Sequence, residues 1–466
     1  MRREDRFTLA AVLIGLFLAA LDQTVVATAL PRILSDLGGQ AWYGWIGAVY
    51  LLGSAIAAPI AGRLVEILPR RSVLLSALGV FAIGSFLCGS SIHFSQLLAF
   101  RLIQGLGGGA LFSLAFTTLA WFFPPRERSR WAGLVGALFG IAGAIGPVIG
   151  GLLTAKVGWR WVFWGNVPFL LVAMLFGWRY LLTRPAPEQA SMDFKGALLM
   201  VGWTVPLLLA LSFLGPRGLG SSIWSLLLLC SSALMLQRWI RVEKTQPAPL
   251  FDLHLIGIPT FRYAALTGFF FGAIFLTGVT FLPLYLQAVL NYSPQQSGWL
   301  LLGFTVGAVL STSLVGVWVS QHGRYKPLLL ISGFLLTGLF SVASLSLPKT
   351  LSTPVLLIAL LFTAILLGPF QALLSVIGQN DIPPNRIGSA TSALQFMRQV
   401  GSTLGLAVVN LLYVFGMQST SSSGESLLSG MRWVMGGAAG LGLLMCGIIV
   451  LLPDRRLRRT HSSTQP

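Results

Sequence analysis

The stretch that decides the fold is TLAAVLIGLFLAALDQTVVATAL, Thr8 to Leu30. An apolar run of this length, wound as a helix rising about 1.5 Å per residue, crosses the roughly 30 Å hydrocarbon core of a bilayer. It carries one charge. Asp22 lies about 14 residues, or some 21 Å, into the run, at membrane depth. A carboxylate there costs several kcal/mol unless it is protonated, paired or facing water, so it is a functional candidate by default. Of the 13 acidic residues, Asp22 alone falls inside a long apolar stretch.

Outward from that run the pattern repeats. The 466 residues are 55% hydrophobic and 9% charged, against about 25% charged in soluble domains, which excludes a soluble globular chain. With 8–30, the apolar runs fall at 43–65, 72–92, 96–120, 131–153, 160–182, 194–214, 221–241, 261–286, 297–319, 326–346, 353–375, 389–415 and 431–452. Each is near the roughly 20 residues that span a bilayer. They predict an all-α polytopic membrane protein of fourteen transmembrane helices.

The net charge of +18 does not point to nucleic acid, because the basic residues are scattered between spans and form no patch interleaved with aromatics. They set topology instead. With the N-terminus inside, roughly 23 of the 31 Lys and Arg, from Arg2, Arg3 and Arg6 through Arg184 to the Arg455–Arg459 cluster, share one face, and about six the other. That bias places both termini in the cytoplasm of a cell, inner or plasma, membrane. Ala27-Thr28-Ala29 after a basic start imitates a signal-peptidase site, but the apolar run is too long for an h-region and predicts a retained helix. Cys88, Cys230 and Cys446 all lie in spans and imply no disulfide framework.

The loop after the second span, Gly62-Arg63-Leu64-Val65-Glu66-Ile67-Leu68-Pro69-Arg70-Arg71, and the one after the tenth, Gly316 to Lys326, look like one repeat. Sliding the first onto the second puts Gly62 on Gly316 and Arg70 on Arg324. The offset exceeds six helices of about 30 residues each by roughly 60 residues, room for two more helices. The expected organisation is a six-helix bundle over 1–190, two inserted helices over 191–255, and a second six-helix bundle with a basic tail over 256–466. Repeated halves with a site between them near the bilayer midplane are transporter architecture.

Asp22 is about 12 Å from the outer end of its span and Arg101 about 8 Å from the outer end of the fourth, so opposite charges meet at similar depth and should pair or compete for partners. On its helix Arg101 shares a face with Gln104, Gly105 and Gly108, a polar, small-residue stripe able to line a cavity. Asp22 then reads as a proton carrier, its affinity switched by desolvation and a nearby guanidinium, or as a fixed ion pair. The lack of another membrane carboxylate favours the carrier. Arg101 reads as a coupling residue or a structural counter-ion. Arg398, sharing a face with Gln395, Gly401, Ser402 and Gly405, is either functional or a side chain snorkelling to the interface. The fifth span concentrates Gly133, Gly136, Gly140, Gly143, Gly146, Pro147, Gly150 and Gly151, a pattern for close packing or a hinge-like contact with another span.

Together these segments resemble the major facilitator superfamily, specifically its fourteen-span drug:proton antiporters. Leu21-Asp22-Gln23-Thr24-Val25-Val26 through Ala29-Leu30-Pro31 is similar to the family's first-span motif. Arg101-Leu102-Ile103-Gln104-Gly105 is similar to the fourth-span motif linked to proton coupling, and Gly146-Pro147-Val148-Ile149-Gly150-Gly151 to the exporters' antiporter motif. Trp159 to Phe163 with Asn166-Val167-Pro168, and Arg398-Gln399-Val400-Gly401, also fit. The resemblance covers nearly the whole chain. It implies a conformational role for Gly62, Glu66, Arg70, Arg71, Gly146, Pro147, Gly150 and Gly151, and outward movement of lipophilic compounds in exchange for protons. Two departures stand out: Glu66, Ile67 and Pro69 replace the loop motif's usual Asp, Arg and Gly, so its gating contacts are expected to be weakened, and Ala142 replaces a common Gly.

A pocket with one carboxylate and many aromatics suits a lipophilic cation, with Phe269, Phe270, Phe271, Tyr285 and Gln287 each reading either as lining or as lipid-facing packing. The two membrane arginines leave neutral or anionic amphiphiles, lipids or fatty acids, as the alternative. An enzyme is disfavoured because His93, His254, His322 and His461 all read as loop or tail residues and no nucleophile or metal-ligand constellation appears in the membrane. A transport-inactive sensor would not need Asp22. The expected protein is a monomer in a bacterial membrane, with lipid, protons and a small lipophilic substrate as partners, no metal, and no cofactor beyond the proton gradient.

Overall fold

A computed structural model describes residues 3–38, 45–180, 193–213, 218–246, 249, 251–292, 294–348, 350, 352–383, 386–419 and 423–458. Arg2, Arg184, Arg459 and His461 lie outside them. The described chain is helical: α1 Arg3–Leu37, α2 Trp45–Ile67, α3 Arg70–Gly89, α4 Phe94–Phe122, α5 Pro125–Lys156, α6 Arg160–Trp164, α7 Asn166–Tyr180, α8 Phe194–Phe213, α9 Gly218–Thr245, α10 Pro259–Leu284, α11 Pro294–His322, α12 Lys326–Ser346, α13 Thr353–Gly378, α14 Ile387–Gln418 and α15 Ser423–Leu451. Helix is what a bilayer demands, since lipid cannot satisfy backbone N–H and C=O groups. Thirteen spans are long and apolar enough to cross, with α6 and α7 counted as one, and α8 adds the shorter apolar stretch Phe194–Leu207. This is the fourteen-helix plan read from sequence.

The sequence read the sixth span as unbroken, whereas the chain interrupts it at Gly165. Elsewhere helices outrun their apolar cores, α1 reaching Leu37 and α14 running from Ile387 to Gln418, because polar end turns sit comfortably at headgroup depth. Pro opens α5 and α10 at a first-turn position where no N–H is needed. Gly158 and Gly323, at φ 99° and 75°, turn the chain sharply after α5 and α11 as few other residues would. Large apolar side chains such as Leu198 and Leu345 stand outward, 73% and 83% exposed, because lipid rather than water surrounds them.

Helices α1–α7 pack mainly on one another, as do α10–α15; α8 and α9 form a hairpin beside α2 and α14. The halves meet chiefly where α2 lies on α14 and α5 on α11, with smaller contacts of α13 on α5 and α14 on α4. The repeat is visible in the two main crossings. Gly62 of α2 presses on Ser392 and Gly388 of α14, and its sequence counterpart Gly316 of α11 presses on the Ser129 carbonyl of α5. A Cβ at either glycine would collide with the other half.

Both crossings are tightest at the face that carries the termini. Ser129 Oγ donates to the Gly316 carbonyl at 3.0 Å, Arg128 Nη1 to Gln379 Oε1 at 2.6 Å, and Arg126 Nε to the Ser320 carbonyl. Toward the far face the glycines of α5 and α11 have more room. A Cβ at Gly143 would come no nearer than 4.0 Å to Thr305, and one at Gly151 or Gly298 would meet nothing within 4 Å. The closest contacts between the halves thus lie at the terminal face.

Candidate functional site: a buried carboxylate network in the N-terminal half

Asp22 and Arg101 form an ion pair, Arg101 Nη1 on Asp22 Oδ2, and each residue is 1% exposed. The other carboxylate oxygen accepts from Gln104 Nε2 at 2.9 Å and Asn166 Nδ2 at 3.4 Å. Gln104 closes the loop: its Oε1 accepts from Arg101 Nη1 at 2.7 Å and its Nε2 also donates to Ser85 Oγ at 3.1 Å. Ser85 accepts from Asn166 Nδ2 at 3.2 Å and donates to the Phe163 carbonyl at 2.9 Å. The Arg101 guanidinium lies 4.4 Å from the Tyr50 ring centroid, and the Tyr50 hydroxyl donates to the Ala19 carbonyl at 3.2 Å. One carboxylate therefore ties α1 to α4 and α7 directly, and to α2 and α3 through its partners.

This arrangement can hold a charge in hydrocarbon because every part of it is answered. A lone carboxylate would revert to its neutral form or drive unfolding, but charge-assisted contacts from a guanidinium and two amides offset the lost hydration. Loss of the Asp22 charge would leave Arg101 buried without its counter-ion.

The geometry changes several sequence expectations. The network is packed inside one half rather than set between the two. Gly105 and Gly108 do not line a cavity: they receive the Tyr50 carbonyl and hydroxyl, letting α2 lie directly on α4. Tyr285 donates to the Pro348 carbonyl at 2.9 Å and is buried at a helix end, Gln287 is exposed beside it, and Phe271 stacks on Phe370 in the core at 5.6 Å. Tyr285 and Phe271 are thus packed into the protein, while Gln287 stands outward. Gln395 donates to Ser375 Oγ at 3.2 Å, joining α14 to α13.

Arg398 does not snorkel. From α14 it donates to Gln371 Oε1 at 3.3 Å and faces Phe112 of α4, in the opposite half, at 5.2 Å. The glycine row of α5 serves two partners: Gly133, Gly136 and Gly140 meet Thr312 and Val309 of α11, whereas Gly146 and Gly150 meet Thr24, Val25 and Thr28 of α1. Pro147 sits in this helix with its side chain outside the described set. Thr24, two residues from Asp22, donates to the Ala142 carbonyl at 3.0 Å.

Glu66 is well engaged, against the expectation of weakened contacts. It accepts from Ser389 N at 2.7 Å and Ser389 Oγ at 2.6 Å across the halves, and from Arg63 at 3.0 Å within its own helix. The extra methylene of Glu over Asp supplies the reach. Arg70 and Arg71 lie over Trp121 and Trp178 at 3.8 and 4.2 Å.

Ser85, Asn166 and Tyr50 escaped the sequence reading as site residues. Asn166 left one signal, a polar amide inside an otherwise apolar run, two residues before Pro168. Ser85 left none, because serines inside helices are routinely satisfied by their own backbone.

With this geometry described, likeness to known proteins becomes informative. The Major Facilitator Superfamily family model matches residues 12–406. The chain belongs to the major facilitator superfamily. Within that superfamily it is 32% identical to the multidrug transporter protein MdtP of Bacillus subtilis, over 86% of this chain and 74% of that protein. It is 31% identical to multidrug resistance protein 3 of the same organism, over 94% and 84% respectively. Among solved structures, the human organic anion transporter MFSD10 superposes with a TM-score of 0.71 over 96% of this chain and 100% of that one, at 20% identity, a likeness of fold alone. Superfamily membership makes the chain a transporter and not an enzyme.

Proposed function

We propose that this transporter exports lipophilic compounds in exchange for protons, with Asp22 as the proton carrier. The observation that carries the reading is the Asp22 network: a membrane-depth carboxylate, 1% exposed, whose charge is balanced by one guanidinium and two amides. The names of the Bacillus subtilis relatives support efflux. The basic bias of the terminal face supports placing it in the cytoplasm of a plasma membrane.

The cycle follows from the contacts. In the captured state the pair is closed and the terminal face is sealed. Protonation of Asp22 releases Arg101 and loosens α1 against α4. Because Thr24 of α1 bonds to Ala142 of α5, and α5 carries the crossing to α11, that loosening reaches the contact between halves. A carboxyl group and a substrate that favour opposite states give antiport by population shift.

The cation preference read from sequence supposed an available carboxylate. Here Asp22 is already committed to Arg101, so substrate charge is set elsewhere. The test of the coupling is a proteoliposome with a trapped pH-sensitive dye. An imposed gradient of a lipophilic substrate such as ethidium or a fatty-acid dye should drive protons the opposite way, and substrate flux with no proton movement under any gradient would exclude antiport.

A further inference from the structure

The charge balance at membrane depth is uneven. The sequence places one carboxylate there, Asp22, and two guanidinia, Arg101 and Arg398. The first two neutralise each other inside the N-terminal half. Among the described residues no acidic side chain pairs with Arg398; its polar partner is a neutral amide, Gln371 Oε1, at 3.3 Å.

Position matters as much as charge. Arg398 lies about 16 Å from the terminal-face end of α14 and Phe112 about 15 Å from that end of α4, near the middle of the bilayer. The guanidinium faces Phe112 of α4 across the interface between halves at 5.2 Å, and Phe112 meets Phe139 of α5 edge-on at 5.1 Å. The backbone below is fixed, because Gly272 of α10 lies against the Arg398 carbonyl and Cγ. A cation held at that depth by one amide and an aromatic face is a poor resting arrangement, and intramembrane charges of this kind mark substrate paths.

Resting on the efflux reading above, we propose that Arg398 is the head-group site of the transported molecule and selects lipophilic compounds bearing an anionic or strongly accepting oxygen: carboxylate, sulfonate or phosphoryl. The planar fork suits two such oxygens at once. Gln371 sets the guanidinium's direction, and Phe112 and Phe139 supply an apolar wall for the tail. A lipophilic cation gains nothing from Arg398 and is repelled by it.

The test is binding to the purified protein in nanodiscs, without a proton gradient, so that it reads selectivity independently of coupling. The probes are dansyl-amino-undecanoate and a trimethylammonium counterpart of equal tail length, each corrected for empty nanodiscs. Wild type should bind the carboxylate at least about tenfold more tightly than the cation. Arg398→Gln should weaken the carboxylate about tenfold, as loss of a charge-assisted contact does, and leave the cation unchanged or tighter, which also shows that the variant is folded. Phe112→Glu, which offers Arg398 a carboxylate without altering it, should give the same selective loss. Equal weakening of both probes by either variant would mark Arg398 as structural, and tighter cation binding by wild type would overturn the assignment. Loss of antiport in the dye assay would leave this result standing, so the two readings fail separately.

Discussion

Asp22 takes three donors from two neighbouring helices, and its worth to the protein depends on all of them. Arg101→Ala would leave a buried carboxylate unpaired, a change that costs about 3–5 kcal/mol in folded interiors; the expected outcome is a sharply lower melting midpoint and poor yield in detergent. Arg101→Lys keeps the charge but loses the planar guanidinium that donates through Nη1 to both Asp22 and Gln104 and lies over the Tyr50 ring. It should fold and move protons about tenfold more slowly, since a compact ammonium reproduces neither the position of Nη1 nor the planar contact with Tyr50. Melting curves paired with dye-reported proton movement separate the two, and normal transport by both would reduce Arg101 to packing. The Asp22–Arg101 pairing was legible in sequence because depth can be counted along an apolar run. Ser85, Asn166 and Tyr50 were not, because which face of one helix meets which face of another depends on packing that no single span records.

Among elements, α5 carries the clearest division of labour, and the sequence showed its glycines without their partners. Periodicity marked a close-packing helix but could not tell that one part of the row meets α11 while Gly146 and Gly150 meet α1. The consequences differ. Gly62→Leu places a side chain where Ser392 and Gly388 already stand, so it should force the terminal face open and raise thiol labelling of a cysteine at Ser389 from that side. Gly146→Leu instead strikes Thr24 beside Asp22 and should impair coupling with little change in that labelling; matching patterns in the two variants would contradict this division. The segment after α15 belongs to the same face. Leu457, 3% exposed, donates its N–H to the Gly323 carbonyl at 3.0 Å, and the Arg458 carbonyl accepts from Arg126 N of the other half at 3.1 Å. Arg455 and Arg458 reach Asp381 at 3.1 and 3.4 Å, with both arginines largely exposed. Exposed pairs contribute about 0–1 kcal/mol and a buried leucine roughly 1.5–3, so Leu457→Asp should release the tail to limited proteolysis far more than Asp381→Asn does. Burial pushes the Tyr325 hydroxyl, which donates to the Pro453 carbonyl at 2.9 Å, from about 10 up to about 12. Its contribution is therefore full below about pH 10 and is lost only as pH rises through about 12.

At the scale of the whole molecule, two halves meet chiefly through α2 on α14 and α5 on α11, closed at the terminal face, while the Asp22 network sits inside one half and Arg398 faces the other half across their interface. The fourteen spans and the repeat of Gly62 in Gly316 were readable because lipid imposes length and the halves keep a shared pattern. The closed terminal face was not, since a sequence specifies both states of an alternating machine. If Asp22 carries the proton and Arg398 the substrate head group, as proposed, the two sites communicate through helix movement rather than by competing for one carboxylate. The most direct measurement is substrate-driven proton movement by Asp22→Asn in proteoliposomes, beside its substrate binding in nanodiscs. The amide keeps the shape of the site but cannot titrate, so proton movement should fall to the level of empty vesicles while binding persists. Proton movement at the wild-type rate in that variant would contradict the assignment of Asp22 as the carrier.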